Sequence, residues 1–276
     1  MCICFANYCT KAAPLCAPFS SALCIKRYRL VDDLYSFKLS KAELEKINKD
    51  ERAFFFALGH VANEITILSK QTVWCENKVA VEDYDRKAQI TMSLFNYRML
   101  AGKLNEANEL IRKSFLSKPY SKIYIEKFND EASSSLAKIK KYFGSKNVVN
   151  IIRNNHAFHY LQGNYNSSSD QLPEEFEMFM HKSQGNSLFY ASEEIAFNSM
   201  MNSFQENDLS IDFGEVIDEL IAISKMIMSF CYQFINAFVT DFHREIVSDE
   251  IKSIKIIDAT RFLDVSIPWY VEIEKA

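Results

Sequence analysis

Arg153, Asn154, His156 and His159 fall within seven residues, in the stretch Ile151-Ile152-Arg153-Asn154-Asn155-His156-Ala157-Phe158-His159-Tyr160. A guanidinium stays charged at any relevant pH and offers a fork of N–H donors that matches phosphate. An imidazole donates or accepts a proton near neutrality. Together they suffice in principle for RNA phosphodiester cleavage, because the ribose 2′-hydroxyl is itself the nucleophile. Asn154 adds a neutral donor beside the Arg. The chain carries no glycine-rich phosphate loop, no acid cluster for a metal pair and no His-Glu-x-x-His. No metal and no cofactor are therefore expected, and the chemistry rests on Arg, His and neutral donors.

The elements that must hold these groups read as helices. Phe is abundant (22) while Gly (6) and Pro (5) are scarce among 276 residues. Few turn formers and 48% apolar residues predict an all-α fold of long antiparallel helices, with one or two short strands. Ser40 followed by Glu43 reads as a capping box opening a helix to about Trp74. A second helix spans about 81–115, interrupted by Gly102 at a cost near ~1 kcal/mol relative to Ala. A third covers 121–142 and a fourth 147–160, which carries the motif. Residues 163–170 read as a polar loop, and Leu172-Pro173-Glu174-Glu175 as the start of a short helix. Ser187 to Ser192 reads as a short strand, and the last long helix as 213–246. Extended segments are expected near 29–39 and 251–274.

On an ideal helix Arg153 and His159 are about 9 Å apart in rise and roughly 120° apart in rotation. Arg153 neighbours His156, and Asn155 neighbours His159. Two copies of the fourth helix facing across a two-fold axis would bring two Arg and two His pairs into one cleft. Arg153-Asn154-Asn155-His156-Ala157-Phe158-His159 resembles the Arg, polar residue, spacer, His signature of the HEPN superfamily. The resemblance implies an all-helical core, here about 41–246 within a helical unit 29–276. It implies a metal-independent endoribonuclease that dimerises to form its site and serves as a toxin or antiviral effector. RNA would be the substrate, and an antitoxin protein a partner. Arg153, Asn154 and His159 would be catalytic by that resemblance, while His156 is an additional His that the family pattern does not settle. His156, Tyr160, Lys141 and Lys146 are assigned here to substrate binding.

Global charge is −4, which does not suggest a nucleic-acid binder. Any RNA contact needs a local basic patch, and Lys138, Lys140, Lys141, Lys146 and Arg153 form an acid-free run beside the motif. Five of seven Cys lie in the first 24 residues, which reads as a leader over 1–28 and not as a disulfide framework. That leader lacks the basic start of a secretory signal. The apolar stretch 216–239 contains Asp218, Glu219 and Lys225, which fits a buried helix and not a membrane span. A cytoplasmic protein without a membrane partner is expected.

Two other readings use the same residues. One is a non-catalytic helical scaffold that binds nucleotides or partners, with Arg153 in an ion pair and the His residues capping or packing. The other is a metal-dependent hydrolase using His60, Glu64, His156 and His159. Its plainer counterpart makes His60 and Glu64, four apart, a simple surface pair.

Overall fold

The computed structural model describes residues 33–76, 80, 82–159, 162–248, 251–255 and 260–272. The leader 1–28 and Tyr160 lie outside the described residues. The fold is all-α with one strand pair. In chain order it contains β1 (Asp33–Ser36), α1 (Lys41–Leu44), α2 (Lys49–Glu76), α3 (Asp83–Ile111), α4 (Ser121–Lys127), α5 (Asp130–Phe143) and α6 (Val148–Ile152). It continues with α7 (Gln162–Ser169), α8 (Tyr190–Glu206), α9 (Phe213–Ala237) and β2 (Lys252–Lys255). β1 and β2 pair antiparallel, with Leu34 opposite Ile254.

Capping chemistry explains why two expected helices are broken. Ser40 accepts from the Glu43 N–H, but its own N–H is donated to the Ile246 carbonyl, so the box is only half formed. Asn48 then accepts from the Asp50 N–H at 2.9 Å and starts α2 afresh. Asn129 accepts from the Ala132 N–H at 2.8 Å, which divides the expected 121–142 helix into α4 and α5. The expected loop 163–170 is helical as α7, where Ser168 is buried and its hydroxyl accepts from Asn202 of α8. The expected helix at 172–175 is irregular. The expected strand at 187–192 reduces to a single bridge, Phe179 to Leu188, because α8 begins at Tyr190.

α9 packs against α2, α3 and α5, with a core of aromatic rings at their meeting point. Phe54 stacks on Phe115 at 5.4 Å and meets Phe234 edge-on at 4.8 Å. Tyr124 stacks on Phe234 at 4.4 Å. Segment Phe213–Phe242 is long and apolar enough to cross a membrane by length and composition. In this fold its Val216, Leu220, Ile227, Phe230 and Phe234 are buried in the bundle. Glu51 ties three elements together, accepting from the Tyr124 hydroxyl at 2.5 Å and contacting His243 Nε2 at 2.8 Å.

Between α2 and α3 lies a small polar pocket in the core. The Cys75 thiol donates to the Thr72 carbonyl at 3.2 Å, and Asn96 donates to its sulfur at 3.6 Å. Burial pushes the thiol up to about 11, so it stays protonated. Burial also lifts the neighbouring Glu76 carboxyl from 4.5 to about 7, against a lowering hydrogen bond with Ser93. Its Oε1 has no hydrogen-bond partner among the described residues. A carboxyl with a raised folded pKa gives up stability as pH rises, because the unfolded chain ionises first. Relative to Glu76→Gln, wild type should lose on the order of 3 kcal/mol between the two values. Urea melts of both proteins across that window check this, and parallel pH profiles would contradict it.

Candidate functional site

The motif begins on α6, whose N-terminus is held from three sides. Asn147 accepts from the Asn150 N–H at 2.8 Å and caps the helix. The Glu219 carboxylate, on α9, accepts from the Val148 N–H at 3.2 Å, placing negative charge at the positive end of the helix. The Tyr142 hydroxyl donates to the same carboxylate and accepts from the Val149 N–H. Burial and the Glu219 charge push that phenol well above its ordinary range. Val148, Val149, Ile151 and Ile152 are all buried, which fixes the rotation of α6 about its axis.

Past Ile152 the backbone widens into one π-turn, Arg153–Ala157. It stops at Phe158, whose φ of −127° and ψ of 5° are not helical. The expected helix to Tyr160 is therefore shorter, and His159 lies beyond its end, exposed to solvent. The ideal-helix separation of Arg153 and His159 does not apply to this turn. Two further π-turns, Arg112–Leu116 after α3 and Phe238–Phe242 after α9, end helices in the same way, so the widening does not by itself mark a site.

Two contacts dock the turn on its neighbours. Phe158 lies across Gly102 of α3 so closely that a Cβ there would sit 2.6 Å from the ring. Gly102 is the cost of that approach, although the sequence shows it only as an interruption of a helical stripe. His156 Nε2 lies 2.9 Å from the Ser203 hydroxyl on α8. That hydroxyl spends its one proton on the Ser199 carbonyl, so it accepts and His156 donates. Burial, and then the Arg98 charge, lower His156 from 6.5 to about 4.

An Arg on a long helix, such as Arg98 on α3, is ordinarily a surface residue. It is instead largely buried, paired with Glu193 of α8 at 3.0 Å, and its Nη1 has no hydrogen-bond partner among the described residues. Its partner lies 95 residues away, beyond any local spacing signal.

The outer side of the turn carries the remaining groups. Arg153 donates through Nε and Nη2 to Glu106 Oε1, at 3.3 and 3.0 Å, and through Nη1 to Asn154 Oδ1 at 3.2 Å. The ion pair is half exposed, at 37% for Arg153 and 52% for Glu106. Such pairs contribute only about 0–1 kcal/mol. Asn154 is exposed. Lys138, Lys140 and Lys141 are exposed along α5, and Lys146 lies 4.0 Å from the exposed Asp208. Lys146 and Arg153 mark opposite ends of α6, roughly 10 Å apart along the helix.

The structure thus joins Arg153 to Asn154 and leaves His159 exposed just past the end of the turn, while His156 faces α8. His60 meets Glu64 at 3.5 Å on α2, with Lys103 also on that carboxylate. Among the described residues, no three His, Cys, Asp or Glu converge to hold a metal. Compared with family models, curated proteins and solved structures, the chain matches none of them.

Two measurements check this geometry. Gly59 has open space where a Cβ would go, so Gly59→Ala should gain up to about 1 kcal/mol of helix stability. Gly102→Ala should show none of that gain, because its methyl must displace Phe158. Equal thermal shifts for the two variants would contradict the docking. The lowered pKa of His156 also has a sign: the unfolded imidazole binds its proton first on acidification, so this group's contribution is lost as pH falls from 6.5 toward 4. In NMR titration its ring proton should hold the neutral shift down to about 4, and an ordinary midpoint near 6.5 would refute the burial argument.

Proposed function

We propose that this chain is a metal-independent endoribonuclease of HEPN type. Arg153 binds the scissile phosphate, Asn154 orients the guanidinium and donates to the phosphate, and His159 moves the proton as general acid or base. The 2′-hydroxyl of the substrate attacks the adjacent phosphorus, and the 5′-oxygen leaves with a proton. His156 is neutral at physiological pH, and its role is to fix the turn against Ser203. The exposed lysines of α5, with Lys146, supply the local positive field that an acidic chain needs to approach RNA. Tyr160 completes the proposed substrate contacts.

The observation that carries this reading is the fork of Arg153. Two of its nitrogens are held by a half-exposed carboxylate and the third by Asn154, on a solvent-facing turn. Glu106 occupies the position that a phosphodiester would take, and a weak surface pair is readily exchanged for one. The reading extends to a homodimer with the motif turns facing each other, and to a cytoplasmic toxin or antiviral effector restrained by an antitoxin protein.

A second reading shares the same observation. With Arg153 neutralised by Glu106 and His156 packed on α8, the turn also suits a non-catalytic module that binds a nucleotide or a partner. Purified protein incubated with total RNA in chelator separates the two. Wild type should cleave, and Arg153→Ala and His159→Ala should each lose at least about a hundredfold in rate. Glu106→Gln should bind RNA more tightly than wild type, since it removes the competing carboxylate. Equal cleavage by wild type and both Ala variants would reject the site. RNA binding without cleavage would favour the scaffold, and cleavage abolished by chelation would point to a metal.

A further inference from the structure

A cleft of about 670 Å³ opens on another part of the surface, between the segment around 173–177 and the first turn of α8. Glu174, Glu175 and Glu177 line one wall with Phe176. Tyr190 and Glu194 line the other, and Lys87 reaches in from α3. None of these residues belongs to the motif turn, and the inference is independent of the ribonuclease reading.

One cation already lines the cleft, and its surroundings bear on what else would fit there. The Lys87 ammonium lies 5.4 Å from the Phe179 ring centroid and 5.4 Å from that of Tyr190. It pairs with Asp83 at 2.7 Å and also with Glu177. Aromatic faces combined with carboxylates favour an alkylammonium, whose charge is spread over an apolar surround, above a compact hydrated metal ion. Burial raises the Glu194 carboxyl, and the Lys87 charge partly offsets this. Glu174, Glu175 and Glu194 have no ion-pair partner within bonding distance among the described residues. Among the described lining residues, one cation, Lys87, faces four glutamates.

We propose that this cleft binds a small aliphatic polyamine, with Lys87 as a built-in competitor for the aromatic cage. Several cationic centres separated by methylene runs match carboxylates spread over two walls with Phe176 and Tyr190 between them. The cavity volume accommodates a chain of that size. One ammonium displaces that of Lys87 from between Phe179 and Tyr190. The others reach Glu194 and the Glu174–Glu175 wall.

Isothermal titration of the full chain with spermidine at low salt tests this. Spermidine should bind wild type. Lys87→Met, which keeps the aliphatic stem and removes the charge, should bind roughly fivefold more tightly, and Glu194→Gln at least as much more weakly. Magnesium at equal ionic strength should fail to compete. The proposal is overturned if neither wild type nor Lys87→Met, both with native circular dichroism, binds spermidine. It is equally overturned if both substitutions leave the affinity unchanged, or if magnesium competes as well as spermidine does. Should Lys87→Met fold poorly, Tyr190→Ala reads the same cage from the other wall, with weaker binding expected and unchanged affinity contradicting it.

Discussion

The close approach of the Phe158 ring to Gly102 is the contact on which the candidate site depends. It fixes where the motif turn ends. The outer edge of the Phe158 ring meets α3, the backbone leaves helical geometry at that residue, and His159 lies in solvent. Because the turn is pressed against α3, Arg153 comes within reach of Glu106 on the same helix. A side chain at position 102 would have to displace the outer edge of that ring. A glycine that weakens a helix locally is thus what permits the packing that defines the outer surface.

The turn would still be free to rotate if α6 were loosely held, and it is not. The Glu219 carboxylate and the Tyr142 hydroxyl fix its first N–H groups, and four buried aliphatic side chains fix its face. His156 adds a point of attachment to α8, which is in turn joined to α3 by the buried Arg98–Glu193 pair. Each of these polar groups is costly to bury alone and inexpensive in company, so they form connected sets. The consequence is a division of labour along residues 153–159: His156 packs inward against α8, while a guanidinium, an amide and, past the end of the turn, an imidazole reach solvent.

Much of this was legible in the sequence, and the remainder was hidden for identifiable reasons. The long helices α2, α3 and α9 are visible because their apolar residues recur at helical spacing over many turns. The division between α4 and α5 was not, since Phe128 and Asn129 break a pattern whose periodicity nearly continues across them. Residues 163–170 look like a turn by composition, yet all but the last are helical and set the buried Ser168 against α8. The same limit applies to chemistry. Arg153, Asn154 and His159 stand close in sequence and were readable together. The burial of Arg98, the carboxylate of Glu219 and the hydroxyl of Ser203 come from partners tens of residues away, which no local pattern reports.

The central claim is that Arg153 and His159 address one phosphodiester. Histidine- and arginine-selective NMR during titration with a 2′-O-methyl RNA oligonucleotide tests it most directly, because such an RNA lacks the nucleophile and stays intact. The account predicts that the Arg153 Nε–H and the His159 ring signals shift together with a common midpoint, while those of His60 and His243 stay in place. Shifts of only one of the two, or separate midpoints for them, would contradict it.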